Sequence, residues 1–139
     1  MQAQYARIFT DDRGMPCFED LTTDLLPGFA VPPAEPLHTA PFLAGNNTFW
    51  VGAPTDWRGG APHPAPRRMI FVTVQGCYEV TTSENIVREF PVGSVMIVED
   101  TTGAGHSTRI ISADEVIVFA VNLPDAPPGG HALREGEKA

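Results

Sequence analysis

Cysteine is scarce in this chain: Cys17 and Cys77 are the only two among 139 residues. They are far apart and belong to no Cys-x-x-Cys pair, and two isolated cysteines of this kind are more often buried thiols than a disulfide. No histidine neighbours either one in sequence, and both read as isolated, buried thiols rather than a bridge. Basic residues are also few, nine Lys and Arg against 17 Asp and Glu, for a net charge of −8. That balance argues against nucleic acid or an anionic membrane as partner, because both require a basic surface. Long apolar runs are missing too, and no segment reaches the roughly 18 residues needed to span a bilayer. The stretch from Met1 to Thr10 lacks the basic-then-apolar layout of a secretion signal, so the cytoplasm is the expected location. Uninterrupted helix-forming stretches are absent as well: 13 Gly and 14 Pro break the chain at short intervals, which favours a turn-rich β fold.

What the sequence does have is a core. Hydrophobic residues make up 42% of the chain, ordinary for one globular domain of this length. The second half carries regular strand signals. Arg68 to Gln75 alternates, with Ile70, Val72 and Val74 on one face and Met69, Phe71 and Thr73 on the other. Cys77 to Thr82 extends beyond Gly76, Ser83-Glu84-Asn85 turns the chain, and Ile86 to Phe90 returns. Pro91-Val92-Gly93 turns again before Ser94 to Glu99, then come a small-residue loop, His106 to Ile111, and the apolar run Glu115 to Leu123. Short strands at this spacing predict a sandwich or barrel rather than alternating βαβ units. In the first half, Tyr5 to Thr10, Thr48 to Val51 and Leu37 to Leu43 are strand candidates, Phe18 to Leu26 fits strand or one helical turn, and Ala53 to Pro66 reads as a long loop over the barrel mouth. The domain is expected over 1–123, with a flexible tail over 124–139.

Two segments resemble the paired motifs of the cupin superfamily. The first motif is a histidine, one residue, a second histidine, a glutamate and a strand-closing glycine. Here His63 stands at the first histidine, Ala65 at the second, Met69 at the glutamate and Gly76 at the glycine. The second motif is matched by Pro91-Val92-Gly93, the loop Thr101-Thr102-Gly103-Ala104-Gly105 and His106. The resemblance implies an all-β fold, a single-domain cupin or jelly-roll antiparallel β-barrel with a small-molecule pocket at its centre. It also implies a metal, since such sites take three histidines and a glutamate around Zn, Fe, Ni or Mn. With Ala65 and Met69 at two of the four positions, the expectation is no cofactor or a weakly held divalent metal on His63 and His106. His38, Glu35 or Glu99 could complete the set from another strand.

The inferred pocket lining follows from strand alternation. If Met69 faces inward, Arg67, Phe71 and Thr73 share its face, and Thr108 shares that of His106. Such a lining suits a mostly apolar organic ligand, with Arg67 anchoring a carboxylate or enolate. The alternative for Arg67 and Arg68 is an ion pair with Glu99 or Asp100. Trp57 could lid the pocket, and His38 could reach it. Glu99 and Asp100 are adjacent, so only one of the two can face the barrel interior, where a buried carboxylate could serve as general acid or base, the alternative being a solvated or salt-bridged strand end. The leading expectation is an enzyme of proton transfer (isomerisation, cyclisation or elimination), with His106 as general base and His63 or Glu99 as its partner. A metal-dependent dioxygenase or lyase and a non-catalytic ligand-binding barrel are the alternatives. The strand face of Ile70, Val72 and Val74 needs cover in so short a chain, which predicts a homodimer.

Overall fold

The computed structural model describes residues 1–29 and 31–125. Eleven strands account for its regular structure: β1 (Gln2–Thr10), β2 (Pro16–Asp24), β3 (Leu26–Phe29), β4 (Leu37–Thr39), β5 (Thr48–Ala53), β6 (Met69–Gln75), β7 (Tyr78–Thr82), β8 (Val87–Phe90), β9 (Val95–Glu99), β10 (His106–Ile110) and β11 (Val116–Asn122). The described residues contain no helix, as the density of glycine and proline predicts. The strands form a six-stranded sheet in the order β2-β1-β9-β6-β11-β5, a three-stranded sheet β10-β7-β8 and a small sheet β3-β4. All pairings are antiparallel except β1 with β9, which is parallel. The expectation of a wholly antiparallel arrangement is corrected at that one pair.

The two larger sheets face each other across a shared core. Ala6, Ile8, Met96, Val98 and Val118 of the six-stranded sheet pack with Tyr78, Val80 and Phe90 of the three-stranded sheet. Tyr78 stacks on Phe90 with ring centroids 5.2 Å apart. Each such buried aliphatic contributes about 1.5–3 kcal/mol relative to exposure. The opposite face of the six-stranded sheet is apolar as well. Tyr5, Ile70, Ile97 and Leu123 form a second cluster there, with Leu43 from the segment between β4 and β5 packed against it. Strands buried on both faces lose their polar alternation, which is why Val95-Met96-Ile97-Val98 and Val116 to Val121 read as continuous apolar runs.

Two turns explain particular residues. Gly76 has φ of +74°, and a Cβ there would lie 2.7 Å from the Glu115 carbonyl oxygen, so only glycine joins β6 to β7 at this spot. In the β1–β2 turn, the Asp11 carboxylate accepts from the backbone N–H of Met15 (3.0 Å) and of Arg13 (2.8 Å). The Met15 hydrogen bond, aided by Arg13 and Cys17, holds the Asp11 carboxyl down at about 2. Cys17 and Cys77 are both free and half-buried, and burial raises both thiols.

The Pro- and Gly-rich segment after β5 runs along the free edge of β10 instead of capping an opening. His63 forms a β-bridge with His106, donating to and accepting from its backbone at 3.0 Å each way. Gly59 lies so close to the Thr108 carbonyl that a Cβ would come within 2.0 Å of the oxygen. The segment thus spans from the edge strand of one sheet to the edge strand of the other. On the opposite side, Arg88 of β8 pairs with Asp20 of β2, beside an open groove of about 560 Å³. Near the end of the described residues, the Pro124 carbonyl accepts a hydrogen bond from Arg68 Nη1. The remainder of the expected tail, 126–139, lies outside the described residues.

Candidate functional site

The chemistry gathers where β9 ends and β10 begins. The loop from Thr101 to Gly105 is shaped by glycine. Gly103 has φ of +76° and lies against the Gly14 carbonyl, and Gly105, at φ of +72°, leaves no room for a Cβ against the His63 backbone, 2.1 Å away. This close approach sets His106 directly beneath the His63 strap. His106 is only 9% exposed, and its Nδ1 is held by the Oδ2 of Asp100, a carboxylate with no exposure at all. The backbone of Asp100 is fixed in turn, its carbonyl accepting from the Ala65 N–H at 2.9 Å. Asp100 Oδ1 is buried and has no hydrogen-bond partner among the described residues. An ionised carboxylate only accepts, so with Asp100 ionised and His106 neutral this contact puts the imidazole proton on Nδ1 and the lone pair on Nε2. His63 lies across from it, ring centroids 5.9 Å apart, exposed to solvent, its Nδ1 3.0 Å from the Pro64 carbonyl. That carbonyl likewise favours the proton on Nδ1 and a free Nε2.

The expected site residues separate into groups. His63 and His106 come together. Glu99, expected as a catalytic partner, lies on the other face of the sheet, where its Oε1 accepts from Arg7 Nε and its Oε2 from Arg68 Nε, both at 2.8 Å. Asp100 is the inward carboxylate. Alternation makes this unavoidable once β6 and β9 are in register, because Val98 stands opposite the inward Met69. The ion-pair alternative thus holds for Arg68. Arg67 is exposed and lines grooves outside the core. Met69, Phe71 and Thr73 do share the inward face, but they pack in or against the core, with Met69 at 7% and Thr73 at 2% exposure. Side chains thus fill the space between the sheets where a central pocket was expected. Trp57 and Thr108 come together at a groove of about 710 Å³ along the flank of β10, with Trp57 41% exposed. His38 is exposed on the β3–β4 hairpin with its Nδ1 3.3 Å from the Leu25 carbonyl.

This donor set does not fit the metal cage that the resemblance implies. Ala65 and Met69 are buried and offer no carboxylate or imidazole. Glu99 is held by two arginines on the far face, and the Oδ2 of Asp100 is engaged by the imidazole it orients. Among the described residues, no group of three or more His, Cys, Asp and Glu is placed to hold an ion. Nor do they include a helix long and apolar enough to cross a membrane. No family model matches the chain, and no curated protein matches it.

Proposed function

We propose that this chain is a small cupin-like jelly-roll enzyme of proton transfer, in which His106 is the general base and Asp100 orients it. The observation that carries this reading is the fully buried Asp100 carboxylate on Nδ1 of His106. That arrangement fixes the tautomer, aims Nε2, and compensates the positive charge that develops when Nε2 takes a proton. The substrate class is a small organic molecule with an activated C–H bond, approaching from the His63 side, where the imidazole of His63 is exposed. The acidic surface disfavours nucleic acid and anionic membrane as partners. A base-promoted ring opening of an activated benzisoxazole tests the base directly. Nε2 takes the ring C–H proton, the C–H electron pair becomes part of a nitrile, and the N–O bond breaks to leave a phenolate. His106→Ala should lower the rate by roughly 10²- to 10⁴-fold; unchanged turnover in a folded His106→Ala protein removes His106 as the base.

A second reading is favoured by the filled core. With Met69, Phe71 and Thr73 packed between the sheets, the chain would be a non-catalytic binding module using a surface groove. Tight binding of one metabolite, with no rate difference between wild type and His106→Ala, supports that reading over the first.

We further propose a homodimer formed through the outer face of the six-stranded sheet. Trp50 on the edge strand β5 is 66% exposed and packs edge-on against Phe119 at 5.2 Å, and Val74 nearby is 46% exposed. An apolar edge of this kind is stable in solution when a second copy covers it. Light scattering should give twice the chain mass for the wild type and a single chain mass for Trp50→Glu.

A further inference from the structure

We propose that the outer face of the six-stranded sheet carries an oxyanion site, where Arg67 and the free Nη2 of Arg68 hold a phosphate or carboxylate group of a small molecule. The site is independent of the His106 reading and lies on the opposite face of the sheet. It is a pocket of about 360 Å³ between the ends of β1, β6 and β9 and the loop after β9. Arg68 is 7% exposed, its Nε engaged by Glu99 and its Nη1 by the Pro124 carbonyl. Its Nη2 is buried and has no acceptor among the described residues. A buried guanidinium nitrogen is seldom left unpaired, because its N–H groups have given up water for nothing. Arg67, adjacent and exposed, makes no hydrogen bond or ion pair among the described residues and lines the same pocket. Thr101 and Thr102 stand beside them. The Thr102 carbonyl accepts a hydrogen bond from the Thr10 hydroxyl at 2.9 Å, which fixes the backbone of the loop beside the pocket.

The charges already present do not fill this need. Glu99 lines the pocket, yet each of its oxygens is bound by a different arginine Nε, and Arg7 is matched further by Glu19 at 3.0 Å. That cluster is internally balanced. Asp125 is the remaining carboxylate of the lining, and it opposes an incoming anion. Two guanidinium groups with nitrogens to spare and two hydroxyls match the several acceptor oxygens of a phosphate or carboxylate.

Arg67 and Asp125 thus act with opposite sign on an incoming anion, which makes the test specific. Inorganic phosphate and, separately, acetate are titrated into the full chain at low ionic strength while backbone amide NMR shifts are recorded. Saturable shifts centred on Arg67, Thr101 and Thr102 with at least one probe are the expected result. Arg67→Ala should weaken that binding about tenfold, the effect of losing a charge-assisted contact, while Asp125→Asn should tighten it. Both residues are exposed, so the fold tolerates either change. Failure of both probes to saturate, or equal affinity in wild type and Arg67→Ala, overturns the proposal.

Discussion

Glu99 and Asp100 are neighbours in sequence, buried to a similar degree, and chemically alike, yet the sheet puts them in opposite circumstances. On the outer face, Glu99 has both oxygens engaged by arginines and its side chain is 5% exposed. On the inner face, Asp100 has one oxygen on His106 and the other without a partner among the described residues. The outer carboxylate belongs to a closed network in which two guanidinium groups depend on it. The inner one belongs to an open pair whose remaining valences face the core. A carboxylate with both oxygens engaged helps to rigidify a fold, whereas one left partly unsatisfied beside an imidazole is an arrangement found where protons move.

Breaking the outer network should produce the largest effect. Glu99→Ala leaves Arg7 and Arg68, each with a side chain 7% exposed, buried beside one another without their shared counter-ion. Removing one partner of a buried ion pair costs about 3–5 kcal/mol, far more than the pair contributes over an apolar substitute. Urea unfolding should show a loss in that range, and a loss under about 1 kcal/mol would place the network in the class of weak surface pairs. Elimination activity, measured at a temperature where the variant is folded, should stay near the wild-type level because Glu99 does not face His106.

The β-rich second half was readable in the sequence nearly to the residue, because Gly76, Asn85 and Gly93 punctuate it at positions where the backbone has positive φ. The glycine-rich loop before His106 was equally plain, and His106 does sit in the buried interior end. The direction of Glu99 and Asp100 was not readable. Alternation identifies a strand's inner face only when the outer face is polar, and Val95 to Val98 is apolar on both faces since Ile97 packs under the segment that carries Leu43. The missing signal was the register Met69 opposite Val98, a long-range pairing that no local pattern encodes. Whether Met69, Phe71 and Thr73 line a cavity or fill a core is not readable for a related reason: both kinds of residue present the same alternation. The strands Pro16–Asp24 and Leu26–Phe29 were ambiguous because Pro27 and Gly28 interrupt the pattern.

The inner pair is probed with less damage by Asp100→Asn. The side chain keeps its shape, and the amide can either accept from Nδ1–H or donate to Nδ1. The first choice buries an NH₂ group with no acceptor, and the second drives the proton of His106 to Nε2, where it blocks the base. Stability should fall by about 1–3 kcal/mol, less than for Glu99→Ala. Turnover of the benzisoxazole should fall in kcat with little change in KM, since the carboxylate acts on the imidazole and does not touch the substrate. A loss confined to KM would show that Asp100 shapes binding alone.

The smallest effect should come from Tyr78→Phe, and its sign matters more than its size. The Tyr78 hydroxyl is buried between the sheets with the Thr73 hydroxyl as its polar neighbour, and neither makes a hydrogen bond of good geometry. Burial pushes the phenol up, an effect the nearby Thr73 hydroxyl only partly offsets. The substitution keeps the ring stacked on Phe90 at 5.2 Å and removes an oxygen that gave up its water. If the inner face tolerates unsatisfied polar atoms, Tyr78→Phe should leave stability unchanged or raise it by about 1 kcal/mol. A loss of similar size would instead mean that the two hydroxyls form a hydrogen bond in solution, and that Asp100 Oδ1 is the exception on this face rather than one of several open valences.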